Sequence, residues 1–263
     1  QGKQANNLFC IATKAAIYRD PETGVRGFNN TLVHLEDELD KSLARMNLDY
    51  IDLFYVHRRD PKTPIEDVTE SLAKLVKKGK IRNIGYSEIA PSSLIRATAV
   101  HHIAAVQSEY SLSTRSSEMG LLQACKKLGT ALVAFSPVGR SFLTDSPLSY
   151  KFAQTLDFTK NNPRFMQPNY NSNITITKGF RGYANDHGVA TSTLAIAWLL
   201  AKGEHIIPIP GTRSSAHLRE LAAAMDFDMT SKIIDEIENI LPLGWAYGDR
   251  YSEVQWVGPE RYC

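Results

Sequence analysis

The chain has 263 residues, with 30 lysines and arginines against 28 aspartates and glutamates, and a formal net charge of +2. Hydrophobic residues make up 43% and charged residues 22%, which is typical of a globular protein and excludes the disordered class. The positive charge is too scattered to indicate a nucleic-acid surface, and no apolar run approaches the ~20 residues that cross a bilayer. The length suits a single barrel domain over residues 1–263.

The cysteines and the N-terminal residues indicate in which cellular compartment the protein is expected. Cys10, Cys125 and Cys263 are widely spaced, odd in number, and fit neither a disulfide framework nor a metal site. The first residues lack the basic and then apolar pattern of a secretory signal. We therefore expect a reduced, cytoplasmic location, no bound metal, and no membrane or nucleic-acid partner.

Short apolar runs alternate with segments of helical period along the chain. Each run has four to six residues, the length of strands buried on both faces of a parallel sheet. The predicted strands are Leu8–Ala12, Ile51–Val56, Ile81–Tyr86, Ala104–Gln107, Ala131–Phe135 and Ile206–Ile209. Apolar stripes predict helices between them, one over Leu32–Met46 and others that end before Gly79, Gly129 and Gly203.

Repeating strand–helix units imply parallel strands joined by right-handed crossovers. A doubly wound dinucleotide-binding sheet would carry GxGxxG directly after a strand, and none of the six runs is followed by it. Polar residues instead follow the runs, and barrel active sites are built from such a rim. These residues are Lys14, His57, Ser87, Gln107, Ser136 and Thr212. The pattern therefore favours a (β/α) barrel.

The segment Arg140–Asn173 interrupts this alternation, because it is long, rich in aromatic residues and contains three prolines. A loop that covers the mouth of a pocket and a surface insertion that packs on itself both fit this composition. The first is favoured, because long loops in barrels commonly carry function.

Lys14 and His57 carry the first chemical signal, since each ends an apolar run. Burial of an ammonium lowers its pKa, and a lysine beside a histidine can polarise a carbonyl oxygen. For Lys14 the structural alternative is a side chain that reaches solvent past the strand end. For His57 it is an ordinary packing role.

Six ordered segments resemble the aldo-keto reductases, most closely the branch of yeast pyridoxal-reductase-like enzymes. The segments are ATK at Ala12–Lys14, LDYIDLFYVHRRDP at Leu48–Pro61, LVKKGKIRNIGYSE at Leu75–Glu88, AAVQSEYSL at Ala104–Leu112, VAFSPVGRSFLT at Val133–Thr144 and IPIPGTRSSAHLRE from Ile207. The resemblance implies a (β/α)8 TIM barrel that binds NADP(H) and transfers a hydride to a small aldehyde or ketone. Its catalytic tetrad is Asp, Tyr, Lys and His.

The resemblance also implies roles for individual residues. Lys14 matches the tetrad lysine, which lowers the pKa of the tyrosine, and His57 matches the histidine that orients the carbonyl. The implied cofactor residues are Ser87 and Gln107 for the carboxamide, Phe135 for stacking on the nicotinamide, Ser136, Val138 and Arg140 for the pyrophosphate, Gly211, Thr212 and Arg213 for the 2′-phosphate, and Glu220 for adenine. A guanidinium beside a helix N-terminus suits a phosphate dianion, so Arg213 favours NADPH over NADH.

Three features depart from the family pattern. Glu88 stands where many members have asparagine beside Ser87, and Leu221 stands where asparagine usually follows the adenine residue. Only thirteen residues precede Lys14, and they hold no segment resembling DTA…YG, which carries the tetrad aspartate and tyrosine.

The resemblance therefore implies an N-terminally incomplete barrel with about six of its eight strand–helix units, and impaired turnover. A fragment of a longer reductase, a natural truncated paralogue and a partner that supplies the missing strands all remain open. The alternative function is a non-catalytic NADPH-binding or regulatory subunit.

Overall fold

The structure is a computed structural model and describes residues 8–261 and 263. The chain divides into two compact units. The first contains the described residues up to Ser108, together with Gly120–Leu132 and Gly258–Cys263. The second contains Glu109–Met119 and Val133–Val257.

The first unit is built on a parallel sheet. Its strands are β1 (Ala12–Ala15), β4 (Ile51–Val56), β5 (Ile81–Ser87) and β6 (Ile103–Glu109, whose last residue belongs to the second unit), and they are neighbours in that order. Its helices are α1 (Leu32–Met46), α2 (Ile65–Lys77), α3 (Pro91–Val100) and α4 (Leu121–Leu128). Three predicted strands and three predicted helices are thus present in this unit, with shifted bounds for several of them, and the first strand is displaced along the chain.

Helices α1 and α2 show why the sequence folds in this way. The side chain of Thr31 accepts the N–H of His34 and caps α1, which ends at Asn47 in the left-handed region, with φ of 54°. Glu66 lies in the first turn of α2 and Lys77 in its last turn, so both charges complement the helix dipole.

The first strand begins later than the sequence predicts, at Ala12 rather than Leu8. Its register pairs Ala12 with Leu53, and β4 begins only at Ile51, so the strand ladder extends past Lys14 and not back toward Leu8. Leu8 and Phe9 are accordingly exposed. The prediction of a buried strand over Leu8–Ala12 is wrong for this physical reason.

A short antiparallel hairpin follows β1 and was not predicted. Its strands are β2 (Ile17–Arg19) and β3 (Arg26–Phe28). Three residues are too few to show an alternating pattern, but the turn does have a sequence signal. The Asp20 carboxylate accepts the N–H groups of Glu22 and Thr23, each at 2.9 Å, as an Asp-Pro turn favours.

The second unit contains the end of β7 (Ala131–Phe135) and β8 (Ile206–Pro208), which are neighbours; the N–H of Ile209 donates to the Ala134 carbonyl at 3.0 Å. Its helices are α5 (Tyr150–Ala153), α6 (Asn169–Asp186), α7 (Thr191–Ala201), α8 (Ser215–Ala222) and α9 (Ser231–Ile240). Every residue of α7 from Thr191 to Leu199 is buried, which explains its nearly continuous apolar sequence.

The segment Arg140–Asn173 forms short helical turns with a small core of its own. Its core residues are Phe142, Ala153, Phe165 and Tyr170, and the ring centroids of Phe142 and Phe165 lie 4.7 Å apart. Part of the segment thus packs on itself, and five of its residues also line the cavity described below, as a loop over a pocket would. Among the residues described, no helix is both long enough and apolar enough to span a membrane.

Candidate active site

Lys14 lies in β1 beside Tyr55 of β4, in the first unit. Its ammonium donates to Oε1 of Gln107 at 2.8 Å and lies 5.5 Å from the centroid of the Tyr55 ring. Burial lowers the pKa of Lys14, and the nearby Arg58 guanidinium lowers it further. The lysine is therefore a half-buried cation held by an amide oxygen, and it does not extend past the strand end into solvent.

The bond between Lys14 and Gln107 also shows that this sheet is curved. Strands β4 and β5 lie between β1 and β6, and neighbouring strands are about 4.8 Å apart. A 2.8 Å contact between side chains of β1 and β6 therefore requires the sheet to bend toward the face that carries them.

His57 follows β4 directly, and its backbone N–H donates to the Ala15 carbonyl at 2.8 Å. Burial lowers the pKa of its ring to about 4, with further contributions from the positive charges of Arg58, Lys14 and Arg26. The imidazole is therefore neutral at pH 7 and has one N–H to donate. The Lys14 charge acts on this ring, which places the two predicted catalytic side chains in one environment.

Arg58 was not among the predicted site residues, although it directly follows His57 in the family-like segment. Its guanidinium donates to the His57 carbonyl at 2.7 Å and to Oγ of Ser87 at 3.0 Å. Arg58 thus connects the histidine to the buried serine at the end of β5. The position of Arg58 directly after His57 in this segment is the sequence feature from which it could have been predicted.

Glu88, the first departure from the family pattern, is fully buried and has φ of 59°. Asparagine is among the residues that tolerate this left-handed region best. The Glu88 carboxylate lies 3.6 Å from Sγ of Cys263. Glutamate at this position therefore combines an unfavourable backbone with a buried carboxyl group.

Tyr55 is not placed to act as a proton donor. Burial raises the pKa of its phenol to about 12, and the side chain is 2% exposed. Its ring packs so closely on Gly85 that a Cβ there would lie 2.5 Å from Cδ1 of the ring. The position of Tyr55 inside β4 therefore serves packing.

A cavity of about 590 Å³ lies in the second unit. Its volume is within the ~300–1,000 Å³ typical of ligand sites. Predicted cofactor residues that line it are Ser136, Val138, Arg140, Gly211 and Glu220, and it is also lined by Leu221, the second departure from the family pattern. Phe135, Thr212 and Arg213 are not among the lining residues.

The N-terminus of α8 lies next to this cavity in sequence, and two of its backbone N–H groups are already capped by side chains. Oγ of Ser214 caps the helix by accepting the N–H of His217 at 3.5 Å, and Oγ1 of Thr212 accepts the N–H of Ser214 at 3.2 Å. Arg213 is exposed, and within residues 8–261 and 263 its side chain has no partner. A Cβ placed on Gly211 would meet no atom within 4 Å. The exposed Arg213 guanidinium beside a helix N-terminus fits a dinucleotide phosphate.

The family model described as aldo/keto reductase family matches residues 2–242. The chain belongs to the aldo/keto reductase family. By family it is therefore an oxidoreductase, and its (β/α) fold is the one that the sequence predicts.

Curated relatives agree with this family membership. The aldo-keto reductase YakC of Schizosaccharomyces pombe, whose name specifies NADP(+), is 36% identical over 244 residues, covering 92% of this chain and 72% of the relative. The aldo-keto reductase Str7 of Strobilurus tenacellus is 36% identical over 252 residues, covering 95% of this chain and 73% of the relative.

Among solved structures, a glycerol dehydrogenase from Gluconobacter oxydans has a TM-score of 0.76 at 24% identity, covering 88% of this chain and 71% of that one. Structural similarity at 24% sequence identity shows that the two proteins share a fold. A thermostable aldo-keto reductase in complex with the inhibitor epalrestat has a TM-score of 0.66 at 25% identity, covering 91% of this chain and 75% of that one.

Proposed function

We propose that the chain is an NADPH-dependent carbonyl reductase, which reduces an aldehyde or ketone to an alcohol in the cytoplasm. The observation that carries the proposal is the half-buried Lys14 ammonium, bonded to Gln107 in the same environment as a neutral His57. Such a pair can stabilise negative charge that develops on a carbonyl oxygen. The named NADP(+) relative and the exposed Arg213 just before α8 support the cofactor.

The predicted cofactor residues would each hold a different part of the dinucleotide. Ser87 and Gln107 would hold the nicotinamide carboxamide, and Phe135 would stack on the ring. Ser136 and Val138 would lie along the pyrophosphate, Gly211, Thr212 and Arg213 would hold the 2′-phosphate, and Glu220 would hold adenine. The bound dinucleotide would supply a hydride for the carbonyl carbon.

The chain's own residues would manage the proton and the orientation of the substrate. The neutral His57 donates its N–H to the carbonyl oxygen and so fixes the substrate without adding a charge. The Lys14 ammonium favours deprotonation of a neighbouring phenol, because a positive charge lowers its pKa. Without such a phenol beside Lys14, we expect turnover to be lower by ~10²–10⁴ than with it.

The test measures NADPH binding by calorimetry and NADPH oxidation with a panel of aldehydes and ketones. Arg213→Gln removes the guanidinium beside the α8 terminus, and we expect it to weaken NADPH binding about tenfold while NADH binding is unchanged. The matched control is Arg219→Gln, which removes an exposed arginine within α8. A wild-type chain that does not bind NADPH would contradict the proposal.

A second candidate function is a non-catalytic NADPH-binding or regulatory subunit. Tyr55 favours it, because the ring of this tyrosine beside Lys14 is buried and packed on Gly85, so it is unsuited to proton transfer. NADPH binding without oxidation in the presence of any carbonyl, together with a stoichiometric protein partner, would establish this second function. Loss of residual turnover in Lys14→Met, with turnover kept in the exposed control Lys232→Met, would establish the first.

A further inference from the structure

The loop Ser136–Ser141 follows β7 and forms one wall of the cavity in the second unit. Its backbone is strained, because Ser136, Arg140 and Ser141 have φ of 51°, 54° and 82°. Residues with a Cβ rarely adopt this left-handed region, and such positions persist only when the surrounding structure holds them in place. The loop therefore needs an anchor outside its own backbone.

The side chain of Arg140 provides that anchor. It forms an ion pair with the carboxylate of Glu109, which is fully buried, and it donates to the carbonyl of Arg250. Its guanidinium also lies 4.7 Å from the ring centroid of Phe158 and 5.2 Å from that of Tyr251. Arg140 lines the cavity, but two of its nitrogens are already engaged by the protein.

Glu109 is a shared anchor for several cations. Guanidinium nitrogens of Arg164 and Arg250 each lie 3.7 Å from its carboxylate, and Oγ1 of Thr114 donates to it at 3.1 Å. Asp249 adds a second negative charge near Arg164. Ion pairs in such buried surroundings depend strongly on both partners, because removal of one leaves the other charge uncompensated.

We infer that Arg140 is a positioning residue, which acts through Glu109 to hold the loop Ser136–Ser141 in the shape that forms the cavity wall. The sequence predicts that Arg140 is a phosphate ligand. On this inference it is not a ligand. The inference rests on the proposed function, in that the cavity is taken to receive the dinucleotide. The two roles of Arg140 give opposite expectations for a change at Glu109.

The decisive variant is Glu109→Gln, which keeps the size of the side chain and removes its charge. If Arg140 contacted phosphate directly, loss of the opposing carboxylate would free the guanidinium and tighten NADPH binding. A positioning role instead predicts that the loop loosens and that NADPH binding weakens about tenfold. Arg140→Lys is the second variant, because it keeps the charge but loses the fork that reaches both Glu109 and the Arg250 carbonyl.

Two measurements follow each variant. Hydrogen exchange of the peptide covering residues 136–143, in protein without dinucleotide, reports on the loop, which holds hydrogen bonds from Gly139 to Ser136 (2.9 Å) and from Leu143 to Val138 (3.2 Å). Calorimetry gives the NADPH dissociation constant. We expect faster exchange and weaker binding in both single variants, and no further loss in the double variant, because the two side chains act as one unit.

Glu238→Gln is the matched control, since it removes a carboxylate of another ion-pair cluster in the second unit. Its loop exchange should equal that of the wild type. Unchanged exchange in both Glu109→Gln and Arg140→Lys, or tighter NADPH binding in Glu109→Gln, would overturn the positioning role. If Glu109→Gln does not fold, hydrogen exchange of the loop in Arg140→Lys decides whether Arg140 has a positioning role. If the wild type does not bind NADPH, the proposed function fails, and the exchange comparison still decides the role of Arg140.

Discussion

The neutral state of His57 predicts a specific dependence of stability on pH. The pKa of a histidine is ordinarily 6.5, and in the folded protein burial and the neighbouring cations lower it to about 4. Between these values the unfolded chain binds more protons than the folded one. Stability should therefore fall as the pH falls from 6.5 toward 4, and His57→Asn should remove this part of the dependence.

The expected size follows from the same two pKa values. Linkage gives a loss of about 2 kcal/mol in the free energy of unfolding between pH 7.5 and pH 5. The ring is only half-buried, and screening by solvent reduces the expected loss to about 1 kcal/mol. This loss belongs to His57 alone, because the other titrating groups are common to the wild type and the variant.

Urea unfolding at pH 7.5 and at pH 5 measures the effect. The free energy should fall by about 1 kcal/mol more in the wild type than in His57→Asn. An equal fall in both proteins would refute the reasoning. NMR titration of the imidazole provides an independent check, and a midpoint near 6.5 would show that burial and the cations around His57 do not act as described.

Two further changes test the packing around the two sites. Phe165→Ala should lower the free energy of unfolding by about 3–5 kcal/mol, because the ring is fully buried against Phe142. The control Phe152→Ala should cost far less, because that ring is half-exposed. Similar losses of both variants in a urea titration would contradict this. Gly85→Ala should lower the melting temperature by an amount corresponding to about 1–3 kcal/mol, because its Cβ would lie 2.5 Å from the Tyr55 ring. The control Gly182→Ala adds a Cβ that meets no neighbour, and a melting temperature of Gly85→Ala equal to that of this control would be the contrary result.

Periodicity predicted the elements whose pattern is decided locally. The strands Ile51–Val56 and Ala131–Phe135 have the predicted bounds, because a buried strand needs a continuous apolar run. The first helix covers the predicted apolar stripe from Leu32 to Met46, because a surface helix needs such a repeating stripe. The first strand was displaced because its position depends on the register with β4, which lies forty residues away in sequence and leaves no local signal.

The candidate site was predictable in part for a similar reason. Lys14 and His57 could be selected because each is an ionisable side chain at the end of an apolar run, where burial shifts its pKa, and the structure places them in one electrostatic environment. The role of Arg58 between His57 and Ser87, and the engagement of Arg140 by Glu109, depend on side-chain directions that a sequence pattern does not contain. The hairpin of β2 and β3 was missed because its strands are too short for periodicity.

The hydrogen bond between Lys14 and Gln107 joins residues 93 positions apart in the chain. Contacts of such high sequence separation form only after a long loop has closed, which is entropically expensive and slow. The lysine environment therefore depends on a residue that is synthesised long after Lys14 itself. A nascent chain that ends before Gln107 lacks the amide oxygen that accepts from the Lys14 ammonium.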